Sequence, residues 1–476
     1  MRRGGWWDNC NCSYAMRPMS AISPEIFKAY DIRGIVGKTL TPVAAELIGR
    51  AIGSQARALA QTQLVIGRDG RLSGPDLSQA LSRGLQSSGV DVIDIGRVAT
   101  PMLYFATHEL NTGSGVMVTG SHNPPDYNGL KMMIAGETLA GDAIQQLRQR
   151  IEAGVFASGN GAYSQMDVRE RYVQRILGDV KLARSMRIIV DCGNGIPGAF
   201  APELYRRMGC AVRELFCEVD GRFPNHHPDP SQPENLQDLI QALASGDEEL
   251  GLAFDGDGDR LGVVTKAGKI IYPDRQLMLF AADVLSRNPG GEVIFDVKCT
   301  RNLFPWIRNH AGVPTLWKTG HSLIKGKMKE TGALLAGEMS GHVFFKERWY
   351  GFDDGMYAGA RLLEILSRQR DIGAAFARLP DSVNTPELQI RLREGENYAL
   401  IAQMQKSATF QGAREIIRID GLRVEYPDGF GLARSSNTTP VIVLRFEGDN
   451  PEALRRIQED FRRVLSAAAP EAVLPF

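Results

Sequence analysis

"QLVIGRDGRLSGPDLSQALSRGLQSSGVDVIDIG", Gln63 to Gly96, decides how the chain is read. Its first run, Gln63–Asp69, is apolar and strand-length. Pro75–Gly89 follows with helical spacing and a glycine near its end, and Val90–Gly96 is a second strand. Strand, helix and strand at this rhythm argue for βαβ units and a mainly parallel sheet. "GVMVTG" (Gly115–Gly120) adds a further strand. The rhythm restarts at Met186–Leu215 and again at Gly291–Gly320, so three tandem α/β units are expected, although identity between them is too low to show a repeat by eye. The tail differs. Asp420–Gly448 reads as strands and turns, and Pro451–Ala468 as a helix, which suits a smaller α+β domain.

The bulk numbers bound the rest. The chain has 476 residues, 43% hydrophobic and 23% charged, with 55 basic and 55 acidic side chains balancing to zero. That composition is ordinary for a soluble protein of several domains. No basic excess exists to neutralise a nucleic-acid backbone or an anionic lipid surface, and no apolar run is long enough for a bilayer. Six scattered cysteines form no disulfide framework, and Cys10 and Cys12 lack the second pair of a zinc site. Residues 1–21 have no signal-peptide core and no period. They are expected to be a disordered extension, or to precede a true start at Met16 or Met19. A cytoplasmic protein is the expectation.

Five loops carry chemical residue types. In "MVTGSHNPPDYNGLKM" (Met117–Met132), Ser121 lies just past a strand end, where open α/β sheets bind ligands. Pro124 and Pro125 stiffen the loop, and His122 and Lys131 offer a proton acceptor and a positive charge. A plain Ser/Asn turn is the competing reading, and G-x-S-x-G is absent. In "LGLAFDGDGDRLGVV" (Leu250–Val264), Asp255, Asp257 and Asp259 alternate with glycines between two strands. Carboxylates this close repel unless a hard cation lies among them. The loop is no EF-hand, since Arg260 and Lys266 stand where its glycine and closing glutamate belong. "AGEMSGH" (Ala336–His342) presents Glu338, Ser340 and His342, groups that suit sugar hydroxyls. "ARSSNTTPVIV" (Ala433–Val443) presents Arg434, Ser436, Asn437, Thr438 and Thr439, either a phosphate cradle or a polar turn. "DCGNGIPG" (Asp191–Gly198) matches G-x-G-x-x-G, with Glu214 spaced for a ribose contact, and would make the protein a nicotinamide dehydrogenase.

The dehydrogenase reading leaves the other four loops without a task. A phosphorylated Ser121 employs them all: the aspartates hold a cation beside the phosphate, the Glu338 loop grips a sugar, and the Arg434 loop holds a second phosphate. A non-catalytic sugar-phosphate or Ca²⁺ binding protein is the third reading.

"TGSHNPPDYNG", "DGDGDR", "GEMSGH" and "RSSNTTP" in this order resemble the α-D-phosphohexomutase family, bacterial phosphomannomutase/phosphoglucomutase branch, from roughly Ile22 to Phe476. The resemblance implies three tandem α/β (mixed-sheet) domains and a C-terminal α+β domain around a central cleft. Their limits are set at 22–167, 168–269, 270–381 and 382–476. It implies that Ser121 is the phosphoserine and that one Mg²⁺ per chain rests on Asp255, Asp257, Asp259 and the Ser121 phosphate. Sugar contacts would fall on Glu338, Ser340 and His342, and phosphate contacts on Arg434, Ser436, Asn437 and Thr438. Tyr30 and Arg33 of "KAYDIRG", Arg260, Lys298, and His321 of "KTGHS" also match active-site positions. Arg33, His122, Lys131 and His342 stay open as proton carriers. The implied activity is reversible conversion of hexose 1-phosphate to hexose 6-phosphate for mannose and glucose, through a hexose 1,6-bisphosphate that also primes the enzyme. Phosphoglucosamine mutase is the near alternative, and a monomer is expected.

Overall fold

The computed structural model describes residues 22–393, 395–437 and 439–476. The expected extension 1–21 and Thr438 lie outside the described residues.

Three sheets share one plan. Strands Gln63–Arg68, Asp91–Arg97, Gly115–Val118 and Tyr127–Ile134 lie side by side in the order second, first, third, fourth. Arg187–Asp191, Ala211–Leu215, Leu250–Phe254 and Leu261–Thr265 repeat that order, as do Glu292–Asp296, Val313–Trp317, Leu335–Gly337 and Val343–Phe345. Within each set the first three strands are parallel and the fourth runs antiparallel to the third, with Val118 opposite Leu130, Phe254 opposite Leu261, and Gly337 opposite Val343. The sheets are mixed, as the resemblance implies: the parallel strands read from the βαβ rhythm sit beside one antiparallel strand in each set. The link from third to fourth strand is too short for a helical crossover, so the chain must turn back antiparallel. That link is the Ser121 loop in the first set, the aspartate loop in the second and the Glu338 loop in the third. Each loop therefore leaves the carboxyl end of a central strand, the natural ligand edge of such sheets.

The first strand of each set ends on a buried aspartate, Asp69, Asp191 or Asp296, immediately after the last ladder pair or within it. Asp69 accepts from Gly120 N (3.2 Å) and Asp296 from Met339 N (3.3 Å), so the first strand holds the functional loop of its own sheet.

The tail is a six-stranded antiparallel sheet built on Leu422–Tyr426, Gly429–Ser435 and Val441–Gly448, with helix Pro451–Ala468 packed across it. Asn450 caps that helix by accepting from Ala453 N, which is why it starts where the sequence places it. One continuous apolar core runs through all three α/β sheets, from Val65 to Leu379. The tail has its own core, and Val297, Phe430 and Leu432 form a small apolar cluster between it and the rest.

Candidate active site

The three loops and the tail converge on a cleft of about 620 Å³. Ser121 sits at its floor, 1% exposed, with φ +49°, a left-handed conformation that costs a non-glycine residue roughly 1–2 kcal/mol. Its Oγ donates to Asp255 Oδ2 (2.9 Å) and lies 3.2 Å from His122 Nδ1. The aspartate loop comes this close because Gly256 has no side chain: a Cβ there would lie 2.3 Å from the Ser121 carbonyl oxygen.

Asp255, Asp257 and Asp259 are fully buried, with one ligand oxygen from each within 4.8 Å of the others. Lys131 Nζ bridges two of them, 2.7 Å from Asp257 Oδ2 and 2.5 Å from Asp259 Oδ2. Burial alone would lower the Lys131 ammonium, but these carboxylates hold it well above the ordinary lysine range. Burial and the neighbouring carboxylates push Asp255 well up, and burial and Asp257 push Asp259 up. Three carboxylates thus crowd one buried site around the single ammonium of Lys131. Asp257 Oδ1 and Asp259 Oδ1 are buried without a hydrogen-bond partner. Free, hard carboxylate oxygens in such a cluster fit a divalent cation that takes oxygen ligands, Mg²⁺ among them.

The sugar-side loop locks onto the aspartate loop. Arg260 and His342 pair as an isolated antiparallel bridge, and Arg260 Nε donates to His342 Nε2 (3.1 Å). The ring proton of His342 therefore sits on Nδ1, facing Asp353 Oδ2 (3.2 Å) and Asp259 Oδ1 (3.5 Å). With both ring nitrogens so engaged, His342 offers neither to a metal, and Asp259, His342 and Asp353 are not a second set of metal ligands. Glu338 accepts from Gly320 N, and burial pushes its carboxyl up to about 7. His321 packs edge-on against Tyr30, and burial together with Lys325 holds it well below the usual histidine range. His122 is likewise pushed well down, by burial and by the cations Arg260, Arg33 and Lys131.

On the tail side, Arg434 Nε donates to Asp420 Oδ2 (2.9 Å), and Lys298 Nζ donates to Glu387 Oε2 (2.8 Å). Ser340, Ser436 and Asn437 line the same cleft, as does Arg33, on the strand paired with Gly129. Every described candidate residue thus borders the cleft except the three aspartates, which lie just beneath it. No motif flagged Arg71, Thr100, Asp353 or Glu387. Thr100 Oγ1 donates to Asp257 Oδ2 (2.5 Å). These residues show themselves only through long-range contacts.

The G-x-G-x-x-G turn has other work. Gly195 packs on Gly256 of the aspartate loop, where an added Cβ would lie 2.9 Å from Gly256 Cα, and Gly198 lies under the Cys217 carbonyl. Glu214 pairs with Arg206 at the surface (2.6 Å). The turn is filled by protein and leaves no cradle for a dinucleotide.

Comparison with known proteins agrees along the chain. Family models for phosphoglucomutase/phosphomannomutase match domain I at residues 24–158, domain II at 170–268, domain III at 272–382 and the C-terminal domain at 387–464. A phosphoglucomutase of Neisseria gonorrhoeae is 61% identical over 452 residues, covering 94% of this chain and 98% of its own. A phosphomannomutase/phosphoglucomutase of Pseudomonas aeruginosa is 58% identical over 453 residues, covering 95% and 98%. The crystal structure of a phosphoglucomutase/phosphomannomutase family protein from Burkholderia thailandensis superposes with a TM-score of 0.91 at 60% identity, covering 96% of this chain and 100% of that one. The chain belongs to the phosphoglucomutase/phosphomannomutase family, in the bacterial branch of the α-D-phosphohexomutases.

Proposed function

We propose that the protein interconverts the 1-phosphates and 6-phosphates of mannose and glucose, lending a phosphoryl group from Ser121 and reclaiming it from the other end of the sugar. The observation that carries the reading is the Ser121 hydroxyl, strained and buried, bonded to a carboxylate of a crowded aspartate trio at the floor of a cleft. In the first half-reaction the P–Oγ bond of phosphoserine breaks as a P–O6 bond forms, and the O6 proton passes to a nearby base. The hexose 1,6-bisphosphate turns over in the cleft. The Ser121 oxygen then takes the 1-phosphoryl group, and O1 leaves with a proton.

Asp255, Asp257, Asp259 and the Ser121 phosphate would hold one Mg²⁺, which would supply positive charge against the group in transfer. Glu338, Ser340 and His342 orient the sugar. Arg434, Ser436 and Asn437, with Lys298, hold the phosphate that is not transferred. Tyr30 and His321 wall the cleft, while Arg33, His122 and Lys131 surround the reacting oxygen. If Glu338 and Ser340 grip hydroxyls common to both sugars, the epimeric one goes unread, which supports dual specificity. Hexose 1,6-bisphosphate is the priming activator. One chain supplies all four walls of the cleft, which supports a monomer.

The test is intact mass and peptide mapping after incubation with glucose 1,6-bisphosphate, alongside turnover of Ser121→Ala. A phosphoryl group on the peptide carrying Ser121, and a loss of roughly 10³-fold or more in kcat for the variant, are expected. Full turnover by the variant would end the reading. Faster turnover of glucosamine 1-phosphate than of the mannose and glucose compounds would make the protein a phosphoglucosamine mutase instead.

A further inference from the structure

Arg71 is a buried cation, 2% exposed, three residues past the end of strand Gln63–Arg68 and two past Asp69. Its guanidinium lies beneath the Ser121 loop and donates to four of its backbone carbonyls. Nη2 reaches Ser121 O (2.8 Å) and Asn123 O (2.5 Å), and Nη1 reaches Pro124 O (2.6 Å) and Tyr127 O (2.9 Å). Asp69 anchors the arginine, accepting from its backbone N (2.9 Å) and lying 3.3 Å from its Nε. The same carboxylate accepts from Thr119 Oγ1 (2.8 Å) and Gly120 N (3.2 Å).

The fit leaves no slack. A Cβ at Gly120 would lie 2.5 Å from Arg71 Cζ, so only glycine lets the guanidinium in. From the second sheet's side, Phe223 covers the guanidinium at 5.0 Å. Four convergent carbonyls repel one another, and each needs a donor once buried. A planar fork of fixed N–H directions meets four acceptors in a way a lysine ammonium, with three donors on a flexible stem, does not. The Ser121 carbonyl is thereby pinned between Arg71 Nη2 and Gly256 Cα, which fixes where the Oγ points.

The matching position in the third sheet shows what else the site allows. Lys298 also stands two residues past a strand-ending aspartate, Asp296, but borders the cleft. Arg71 instead faces away from the cleft, under the loop.

We infer that Arg71 is a positioning residue for phosphoryl transfer: it holds the Ser121 backbone in its strained conformation and so sets the Ser121 oxygen against the aspartate loop. The inference rests on Ser121 being the group that carries phosphate. Arg71→Lys is expected to lower kcat and the rate of Ser121 phosphorylation by glucose 1,6-bisphosphate by about 10²-fold, the cost of a small misplacement of reacting atoms. KM for the hexose 1-phosphate should stay within about threefold, because the sugar and distal-phosphate groups lie on other loops. Arg71→Ala should be inactive and regain turnover on addition of guanidinium ion below denaturing concentration, which a merely structural loss would not do.

Wild-type kcat and phosphorylation rate in Arg71→Lys would overturn the inference. So would a lowered melting temperature with kcat unchanged below the transition. Should both Arg71 variants fail to fold, Phe223→Leu removes only the covering ring. A loss of threefold or more in the phosphorylation rate would then support the assignment, and none would overturn it. Failure of the underlying reading looks different, since Ser121→Ala would then turn over normally whatever Arg71 does.

Discussion

Lys131 explains how a trio of aspartates survives in a folded interior. Asp257 and Asp259 would repel at this spacing, and the ammonium between them supplies the first compensating charge. Asp257 Oδ1, buried without a hydrogen-bond partner, and Asp259 Oδ1, with only the His342 ring at 3.5 Å, are where a second cation could add what Lys131 cannot. Glu338 shows the opposite case, a carboxyl with too little compensation. Burial lifts it to about 7, so it gains its charge across the neutral range. In the proposed sugar-gripping role the carboxylate would accept from hydroxyls, and protonation would remove part of that capacity. KM for the hexose 1-phosphate is therefore expected to rise as pH falls from about 8 to 6, approaching tenfold per unit once below the Glu338 value if only the ionised form binds. Glu338→Gln should have a higher KM and lose that inflection. The second ionisation of the substrate phosphate, near 6, acts on both proteins and cancels between them. Superimposable KM–pH curves for wild type and Glu338→Gln would refute the assignment.

At the scale of elements, helix Gly355–Ser367 is set by Asp354, whose side chain accepts from Tyr357 N (2.9 Å) and from Tyr172 OH (2.9 Å). The helix is buried on nearly every face, and Gly355 N donates to Gly258 O, so this cap also steadies the aspartate loop. Asp354→Ala loses the cap and leaves a buried phenol without its acceptor, a cost of about 3 kcal/mol, read as a lower thermal midpoint. Burial raises the Asp354 carboxyl to about 7, above its unfolded value. The native state then holds an extra proton between the unfolded and folded values, so this contribution is full at low pH and fades as pH rises through 7. Asp354→Asn keeps the cap without titrating. Its melting temperature relative to the wild type should climb between about pH 4 and 7, so that the gap near pH 8 is larger than the gap near pH 5. A constant gap across that range would contradict the argument.

The strands and helices of the three α/β units were legible because apolar runs and glycine turns are local. Ser121, the aspartate trio and the Glu338 loop were legible because each sits whole on one hairpin link. The antiparallel fourth strands were not, since strand direction depends on what the link can span. Nor were Arg71 and Asp353, whose partners lie far away in the chain: Arg71 bonds residues 50 to 56 positions on.

Across the whole molecule, the tail is joined to the rest differently from how the other domains are joined to each other. The α/β sheets share one continuous apolar core, whereas the tail docks chiefly through polar groups. Arg423 donates to the carbonyls of Val297 (2.8 Å) and Cys299 (2.7 Å), Thr300 to Glu447 (2.9 Å), Arg445 to Asp274 (3.3 Å), and Lys298 to Glu387 (2.8 Å). Contacts to charged groups contribute about 1.5–3 kcal/mol net apiece, but each group regains water when the tail separates, whereas a shared apolar core gains nothing by exposure. A tail docked through polar groups can rotate without opening a shared core, and a bisphosphate held as proposed, by Ser121 at one end and Arg434 at the other, would favour the closed arrangement. Small-angle scattering should show a smaller radius of gyration when glucose 1,6-bisphosphate is added to Ser121→Ala, which binds without reacting. Arg434→Ala in the same background, lacking the tail's phosphate contact, should not contract at concentrations that saturate the parent. Identical scattering with and without bisphosphate in the parent would mean that the tail does not move, and that the intermediate turns over in a cleft of fixed shape.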